Sequence, residues 1–163
     1  MKVNITIKAN IGIAQEHLAE ISQALGHILA DEYVLYTKTF NAHWNIEGHD
    51  FHAMHTFFKS QYTEIANIID MVAERMRMLG HYAPATMKQF LELTHLTEQS
   101  REKNDGAGFI RELLNDHESI IIYIRSQLIR LDSQLKDHGT SDYLTGLVRY
   151  HEKNAWMLRA HLK

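Results

Sequence analysis

Apolar residues recur at helical spacing along four long stretches of the chain. In the first two, about residues 11–40 and 50–79, leucine, isoleucine and aromatic residues return every three, four or seven positions, as in an amphipathic α-helix. A third stretch follows the polar loop 101–108, and a fourth begins near Thr140 or Ser141, either of which could cap it. Four such helices predict an all-α fold, a four-helix bundle.

The connections between these stretches predict how the bundle is threaded. Asp50 is a candidate N-cap for the second helix, and Gly80 stands where that helix should end. The segment 86–89 (TMKQ) fits a capping box, so we expect a short extra helix in the long crossover between helices two and three. A long central crossover is typical of ferritin-like topology. With no internal repeat, we expect a single domain over residues 1–163.

Composition narrows the class of protein. Of 163 residues, 45% are apolar, and there is no cysteine, which excludes disulfides and thiolate metal sites and fits a cytoplasmic location. No apolar run approaches the roughly 20 residues that span a bilayer, so we expect no membrane contact. The formal net charge is −3, and Lys2 and Lys8 are the only Lys or Arg before residue 38, which disfavours DNA as a partner.

Four ionisable residues lie along one edge of the second helix. With His55 at zero on a helical wheel, Lys59 falls at about 40°, Asp70 at about 60° and Glu74 at about 100°. Asp70 and Glu74 are one turn apart, so their carboxylates could converge on one cation. A set of salt bridges at the rim of the buried face is the alternative interpretation.

The positions of these residues are symmetric along the helix. His55 and Glu74 are equidistant from the midpoint between residues 64 and 65, and so are Lys59 and Asp70. In an antiparallel pair of identical helices, each residue would face its complement on the other copy. We therefore hypothesise that a two-fold dimer assembles two sites, each from two half-sites.

A histidine near the end of the first helix could supply a nitrogen ligand. His43 precedes Trp44 in the segment 41–44 (NAHW). Beside a tryptophan, a histidine is commonly a packing or capping residue. Read together with Asp70 and Glu74, however, His43 would complete the nitrogen and carboxylate set that suits iron. Two Glu-x-x-His motifs on core helices, the alternative di-iron arrangement, are not found, since the single match, Glu92 to His95, lies in the crossover.

Several segments together resemble the Dps family of miniature ferritins over nearly the whole chain. They are the segments 35–38 (LYTK), 41–44 (NAHW), 70–75 (DMVAER), 79–80 (LG), 84–87 (PATM) and 156–158 (WML). The resemblance implies a hollow dodecamer with ferroxidase centres at its two-fold interfaces. One subunit would supply His43 and His55, and its neighbour Asp70 and Glu74. The substrates implied are Fe(II) and hydrogen peroxide, with ferric mineral stored in the cavity as protection against oxidative stress.

Lys59 departs from this family pattern, in which Asp or Glu usually helps to hold a second iron. A charged ammonium cannot bind a metal and repels a second cation. We therefore hypothesise one well-defined iron per site, with Lys59 paired to Asp70 of the neighbour or substituting for the missing charge. A second iron would bind weakly, or through His55 and water.

Three further residues have two interpretations each. Trp44 is either a sacrificial electron donor that quenches radicals near the iron or an interface packing residue. By analogy with the family, Asp137 and Asp142 line a three-fold pore for iron entry, although solvated charges at a helix end would look the same.

Two alternative functions remain open. One is a nucleoid DNA-binding and compacting protein, and the other is a structural or signalling dodecamer with an idle metal site.

Overall fold

The computed structural model describes residues 8–103 and 105–163 and confirms the helical bundle. Its five α-helices are α1 (Gln15–Asn45), α2 (Phe51–Met78), α3 (Met87–Leu93), α4 (Gly106–Arg130) and α5 (His138–Ala160). A π-helical turn, Leu131–Leu135, extends α4. The helix α1 packs mainly against α2, and α4 packs against α5, while contacts of α1 with α4 join the two pairs. The fold is therefore a ferritin-like four-helix bundle with α3 in its crossover.

The helix ends agree with the sequence patterns at two places and differ at two others. Thr86 caps α3 by accepting the Gln89 N–H at 3.2 Å, as the capping box predicts, and Gly80 follows α2 with φ of 84°. The prediction that Thr140 or Ser141 caps the last helix is wrong, because the Asp137 carboxylate accepts the N–H of Thr140 at 3.0 Å. The first helix runs to Asn45 rather than ending near residue 40, so it includes His43.

Leucine, isoleucine and phenylalanine side chains from all four long helices form the core. Leu25 on α1, Phe58 on α2, Phe109 on α4 and Leu144 on α5 are each at least 99% buried. None of the helices among the described residues is both long and apolar enough to cross a membrane. Lys2, part of the N-terminal segment considered for DNA binding, lies outside the described residues.

Buried charges fasten the end of the crossover to the bundle. The Lys38 ammonium on α1 lies 2.6 Å from the Asp116 carboxylate on α4 and donates to the Thr97 carbonyl at 2.8 Å. Arg101 pairs with Glu112 of α4 at 2.7 Å. Burial raises the pKa of Asp116 to about 6, against the lowering effect of Lys38. The long crossover is thus held at both α1 and α4 by groups that would be costly to leave unpaired.

A chain of three fully buried polar side chains crosses the centre of the bundle. Nε2 of His151 lies 2.7 Å from a Glu32 carboxylate oxygen, and the Nδ1 atoms of His151 and His117 are 2.8 Å apart. With Glu32 ionised, His151 donates to it from Nε2 and accepts the His117 N–H at Nδ1. His117 Nε2 then keeps its lone pair and has no hydrogen-bond partner among the described residues. Burial, reinforced by His151, lowers the pKa of His117 well below its ordinary value.

The His117→Asn variant tests whether this histidine stays neutral in the fold. Asn can keep a donor toward His151 but cannot take up a proton. Below pH 6.5 the unfolded wild-type chain binds a proton at His117 that the folded chain does not, so wild-type stability is lost as the pH falls. Between pH 6.5 and 5, the variant should therefore gain up to about 1.4 kcal/mol per pH unit relative to wild type. Chemical denaturation at each pH, at fixed protein concentration, measures the difference.

Comparing wild type with the variant also cancels the opposing contribution of Asp116. Its raised pKa makes the folded state bind the extra proton between about pH 4 and 6, which stabilises the fold as the pH falls. Exposed His161 provides the control: His161→Gln should run parallel to wild type. Parallel curves for wild type and His117→Asn would instead show that His117 is not held neutral.

Candidate metal centre

His43 and His55 face each other across the short link between α1 and α2. Nδ1 of His43 lies 2.7 Å from the His55 carbonyl oxygen, and Nδ1 of His55 lies 2.8 Å from the His43 carbonyl oxygen. The two rings stack with their centroids 3.7 Å apart. Because a carbonyl oxygen can only accept, each Nδ1 carries the hydrogen. Each neutral ring therefore presents an unprotonated Nε2, the form that binds metals.

Aromatic side chains surround this histidine pair. The Tyr62 ring lies 5.2 Å from the His43 ring and stacks at 4.1 Å on Phe40, which in turn lies 4.8 Å from Trp44. Trp44 itself is 67% exposed. The sequence singled out Trp44 because it is adjacent to His43. Phe40 and Tyr62, which link the Trp44 ring to His43, were missed, although Phe40 lies one turn before Trp44 on α1.

Asp70 and Glu74 lie on the exposed surface of α2, away from the histidines. Neither carboxylate has a hydrogen-bond or ion-pair partner among residues 8–103 and 105–163. Asp70 is 15 residues from His55 on the same helix, about 22 Å along its axis. Within the described part of one chain, no three His, Asp or Glu side chains converge to hold a metal ion. The described part of the chain thus carries the two histidines and the two carboxylates as separate groups.

Lys59 is exposed on α2, one turn after His55, and its ammonium has no ion-pair or hydrogen-bond partner in the part of the chain that the structure describes. A side chain one turn away on the same helix is a close neighbour. Its ammonium therefore affects the electrostatics at His55 more directly than at His43.

Arg75 on α2 holds the start of α5. Its guanidinium lies 3.2 Å from the Asp137 carboxylate and donates to the Thr140 hydroxyl at 3.0 Å. A Cβ at Gly139 would lie 3.1 Å from Arg75 Nη2, so glycine leaves room for this contact. Asp137 is buried, with its carboxylate occupied by Arg75 and the α5 cap. Asp142, the other pore candidate, is exposed in the first turns of α5.

Sequence reasoning also missed polar residues in the core. His81, His117 and His151, none of which the sequence patterns singled out, are buried. Periodicity carried a signal for His151, which continues the apolar face of α5 at Leu144, Leu147 and Val148. The pairing of His151 with Glu32 required knowledge of how α1 and α5 meet.

Comparisons with known proteins agree with this architecture. A family model described as a ferritin-like domain matches residues 22–163. The chain is 36% identical over 156 residues to an uncharacterised low-temperature-induced protein of Nostoc sp., covering 96% of this chain and 87% of the relative. It is 34% identical over 143 residues to DNA protection during starvation protein 2 of Bacillus anthracis, covering 88% and 97%.

Solved structures give the same result. The Dps protein of Vibrio cholerae O1, described as a member of the ferritin-like diiron-carboxylate superfamily, superposes with a TM-score of 0.90 at 28% identity, covering 98% of this chain and all of that one. Dps from Thermosynechococcus elongatus gives a TM-score of 0.85 at 29% identity, covering 91% and 94%. Sequence and fold together confirm the resemblance first noted in the motifs, and the chain belongs to the Dps family of ferritin-like proteins.

Proposed function

We propose that this protein oxidises Fe(II) at sites shared between subunits and stores the ferric product inside a hollow dodecamer. The observation that carries the proposal is the reciprocal hydrogen bonding of His43 and His55, which leaves both Nε2 atoms available to a metal. Imidazole nitrogen with carboxylate oxygen is a ligand set that suits iron. Membership of a ferritin-like family supports the same metal.

The carboxylates reach the histidines only from a neighbouring copy in this proposal. Asp70 and Glu74 are too far along α2 from His55 to join it within one chain. A two-fold axis near the midpoint of residues 64 and 65 would place the partner's Glu74 opposite His55, and the partner's Asp70 opposite Lys59. The exposure of both carboxylates and their lack of partners within the described part of the chain fit such an interface.

The reaction proposed is the oxidation of two Fe(II) ions by one hydrogen peroxide molecule. Each Fe(II) gives up one electron, the O–O bond breaks, and two protons from solvent complete two water molecules. Asp70 and Glu74 together bring two negative charges that attract Fe(II) and favour Fe(III) even more. Transfer of both electrons avoids release of hydroxyl radical, which makes the protein protective against oxidative stress.

We propose one well-defined iron position per site. Two imidazoles that share one tetrahedral ion have ring centres about 5 Å apart, whereas the His43 and His55 rings lie 3.7 Å apart. At this spacing the two histidines would suit separate positions, and the position at His55 would lie one helical turn from Lys59. The His43 position is therefore the stronger of the two, and the second iron of each reaction binds transiently.

Three accompanying roles complete the proposal. Trp44, linked through Phe40 and Tyr62 to His43, would donate an electron to a stray radical. Asp137, held by Arg75, and Asp142 would line the pore by which Fe(II) enters. We expect the protein to act in the cytoplasm. With a net charge of −3, we expect no DNA binding.

Replacing both Asp70 and Glu74 by alanine should abolish the fast reaction. Without the carboxylates, Fe(II) loses the charge that holds it, and peroxide-dependent oxidation should slow at least about tenfold. Stopped-flow absorbance of Fe(III) formation measures the rate. Glu98→Ala, which removes an exposed carboxylate in the crossover, away from α2, is the matched control and should match wild type. An unchanged rate in the double variant would show that Asp70 and Glu74 take no part in iron oxidation. It would favour the alternative function, a structural or signalling dodecamer with an inactive metal site.

Lys59→Glu should convert a one-iron site into a two-iron site. The change removes a repelling ammonium and adds an oxygen ligand next to His55. Anaerobic Fe(II) titration should then saturate at two tightly bound ions per site, against one for wild type. Lys153→Glu, which makes the same charge change at an exposed position on α5, controls for net charge. If wild type already binds two ions as tightly as Lys59→Glu, the one-iron proposal is wrong.

A further inference from the structure

A second pair of histidines lies far from the first, and Nδ1 of each ring is again hydrogen-bonded to an oxygen atom. His27 on α1 has Nδ1 2.7 Å from the Leu93 carbonyl oxygen, and His95, just after α3, has Nδ1 3.0 Å from a carboxylate oxygen of Asp31. Both oxygens accept, so in the neutral rings Nδ1 carries the hydrogen and Nε2 carries the lone pair. Neither Nε2 has a partner within the described part of the chain.

The carboxylate behind His95 is itself rigidly held. Asp31 is 1% exposed, and its other oxygen accepts the Thr94 hydroxyl at 2.7 Å and the His95 N–H at 2.6 Å. A carboxylate bonded to the distal nitrogen of a histidine is the arrangement that orients metal-binding imidazoles and raises their basicity. His95 therefore has the supporting contacts of a metal ligand as well as the free nitrogen.

The spacing of the two rings suits a shared ion. The His27 and His95 ring centroids are 5.1 Å apart, with the planes tilted by 36°. Two imidazoles bound to one ion at about 2.05 Å, with a tetrahedral angle between them, have ring centres about 5 Å apart. The His43 and His55 rings, at 3.7 Å, do not meet this condition.

The His27–His95 pair is accessible to solvent, and the Tyr123 ring packs beside it. The His95 side chain is 44% exposed, and the Tyr123 ring lies 4.3 Å from it. His27 lines a cavity of about 160 Å³ together with Glu20 and Arg130, which neutralise each other at 2.8 Å. An ion can therefore reach the histidines, and water can complete its coordination.

We propose that His27 and His95 bind a divalent transition metal within one subunit, of the class that prefers imidazole, such as Zn(II) or Cu(II). Asp31 supplies the orienting carboxylate, and water fills the remaining positions. His27 precedes His43 by 16 residues on α1, about 24 Å along the helix. This site is therefore separate from the proposed iron centre and does not depend on it.

Zinc binding to the intact oligomer tests the proposal. In the Asp70→Ala, Glu74→Ala background, which removes the proposed inter-subunit site, Zn(II) bound per subunit is measured by equilibrium dialysis. Adding His27→Gln or His95→Gln should remove one Zn(II) per subunit, with helical circular dichroism unchanged. His161→Gln is the matched control, because His161 Nδ1 also donates to a carbonyl, that of Met157 at 2.8 Å, and its ring contacts Phe57 but no histidine among the described residues. It should bind as the background does.

Two further measurements distinguish one Zn(II) site shared by His27 and His95 from Zn(II) bound separately to single surface histidines. Asp31→Asn should keep the stoichiometry and weaken Zn(II) binding by about 10- to 100-fold. Anomalous scattering from a zinc-soaked crystal should place one ion about 2.0–2.1 Å from both Nε2 atoms. The proposal is overturned if His27→Gln and His95→Gln bind as much Zn(II) as the background, or if the anomalous peak lies on one histidine alone.

Discussion

The reciprocal hydrogen bonds between His43 and His55 determine how the rest of the candidate centre is built. Each ring uses Nδ1 to hold the carbonyl of the other residue, so the end of α1 and the start of α2 are tied together at the point where the chain reverses. In the neutral rings, the same bonds fix the tautomer, with the hydrogen on Nδ1 and the lone pair on Nε2. One interaction therefore closes the α1–α2 hairpin and orients the two histidines of the proposed metal site.

The carboxylates of this protein fall into two classes, those paired in the core and those unpaired at the surface. In the core, Glu32, Asp31 and Glu112 each have a histidine or arginine partner within hydrogen-bond distance, because an unpaired buried charge is costly. Asp70 and Glu74, by contrast, lie in solvent with no partner among the described residues. Carboxylates one turn apart repel each other, and a cation or a second subunit would relieve that repulsion. This contrast is the physical basis for placing the iron at an interface.

Periodicity and capping signals were sufficient to predict the bundle, the crossover and the short helix α3, since these depend on local spacing and on Thr86 and Gly80. The structure ties His43 to His55, and the role of these two histidines as metal ligands stays a prediction. The α5 cap was mispredicted because Asp137 and Thr140 are both good capping residues near the same helix start. Arg75 of α2, which is far away in sequence, forms an ion pair with Asp137 and stabilises it as the cap. The buried chain of Glu32, His151 and His117 could not be predicted, because its members lie on three helices whose relative rotation no local pattern specifies.

We propose that one iron is held by two subunits. Anomalous scattering at the iron edge, from a crystal of the wild-type protein soaked anaerobically in Fe(II), would locate that iron. We expect a strong peak bound by His43 of one subunit and by Asp70 and Glu74 of its two-fold neighbour, with a weaker peak or none beside His55 and Lys59. Iron bound by ligands from a single chain, or an interface with no iron at all, would contradict it.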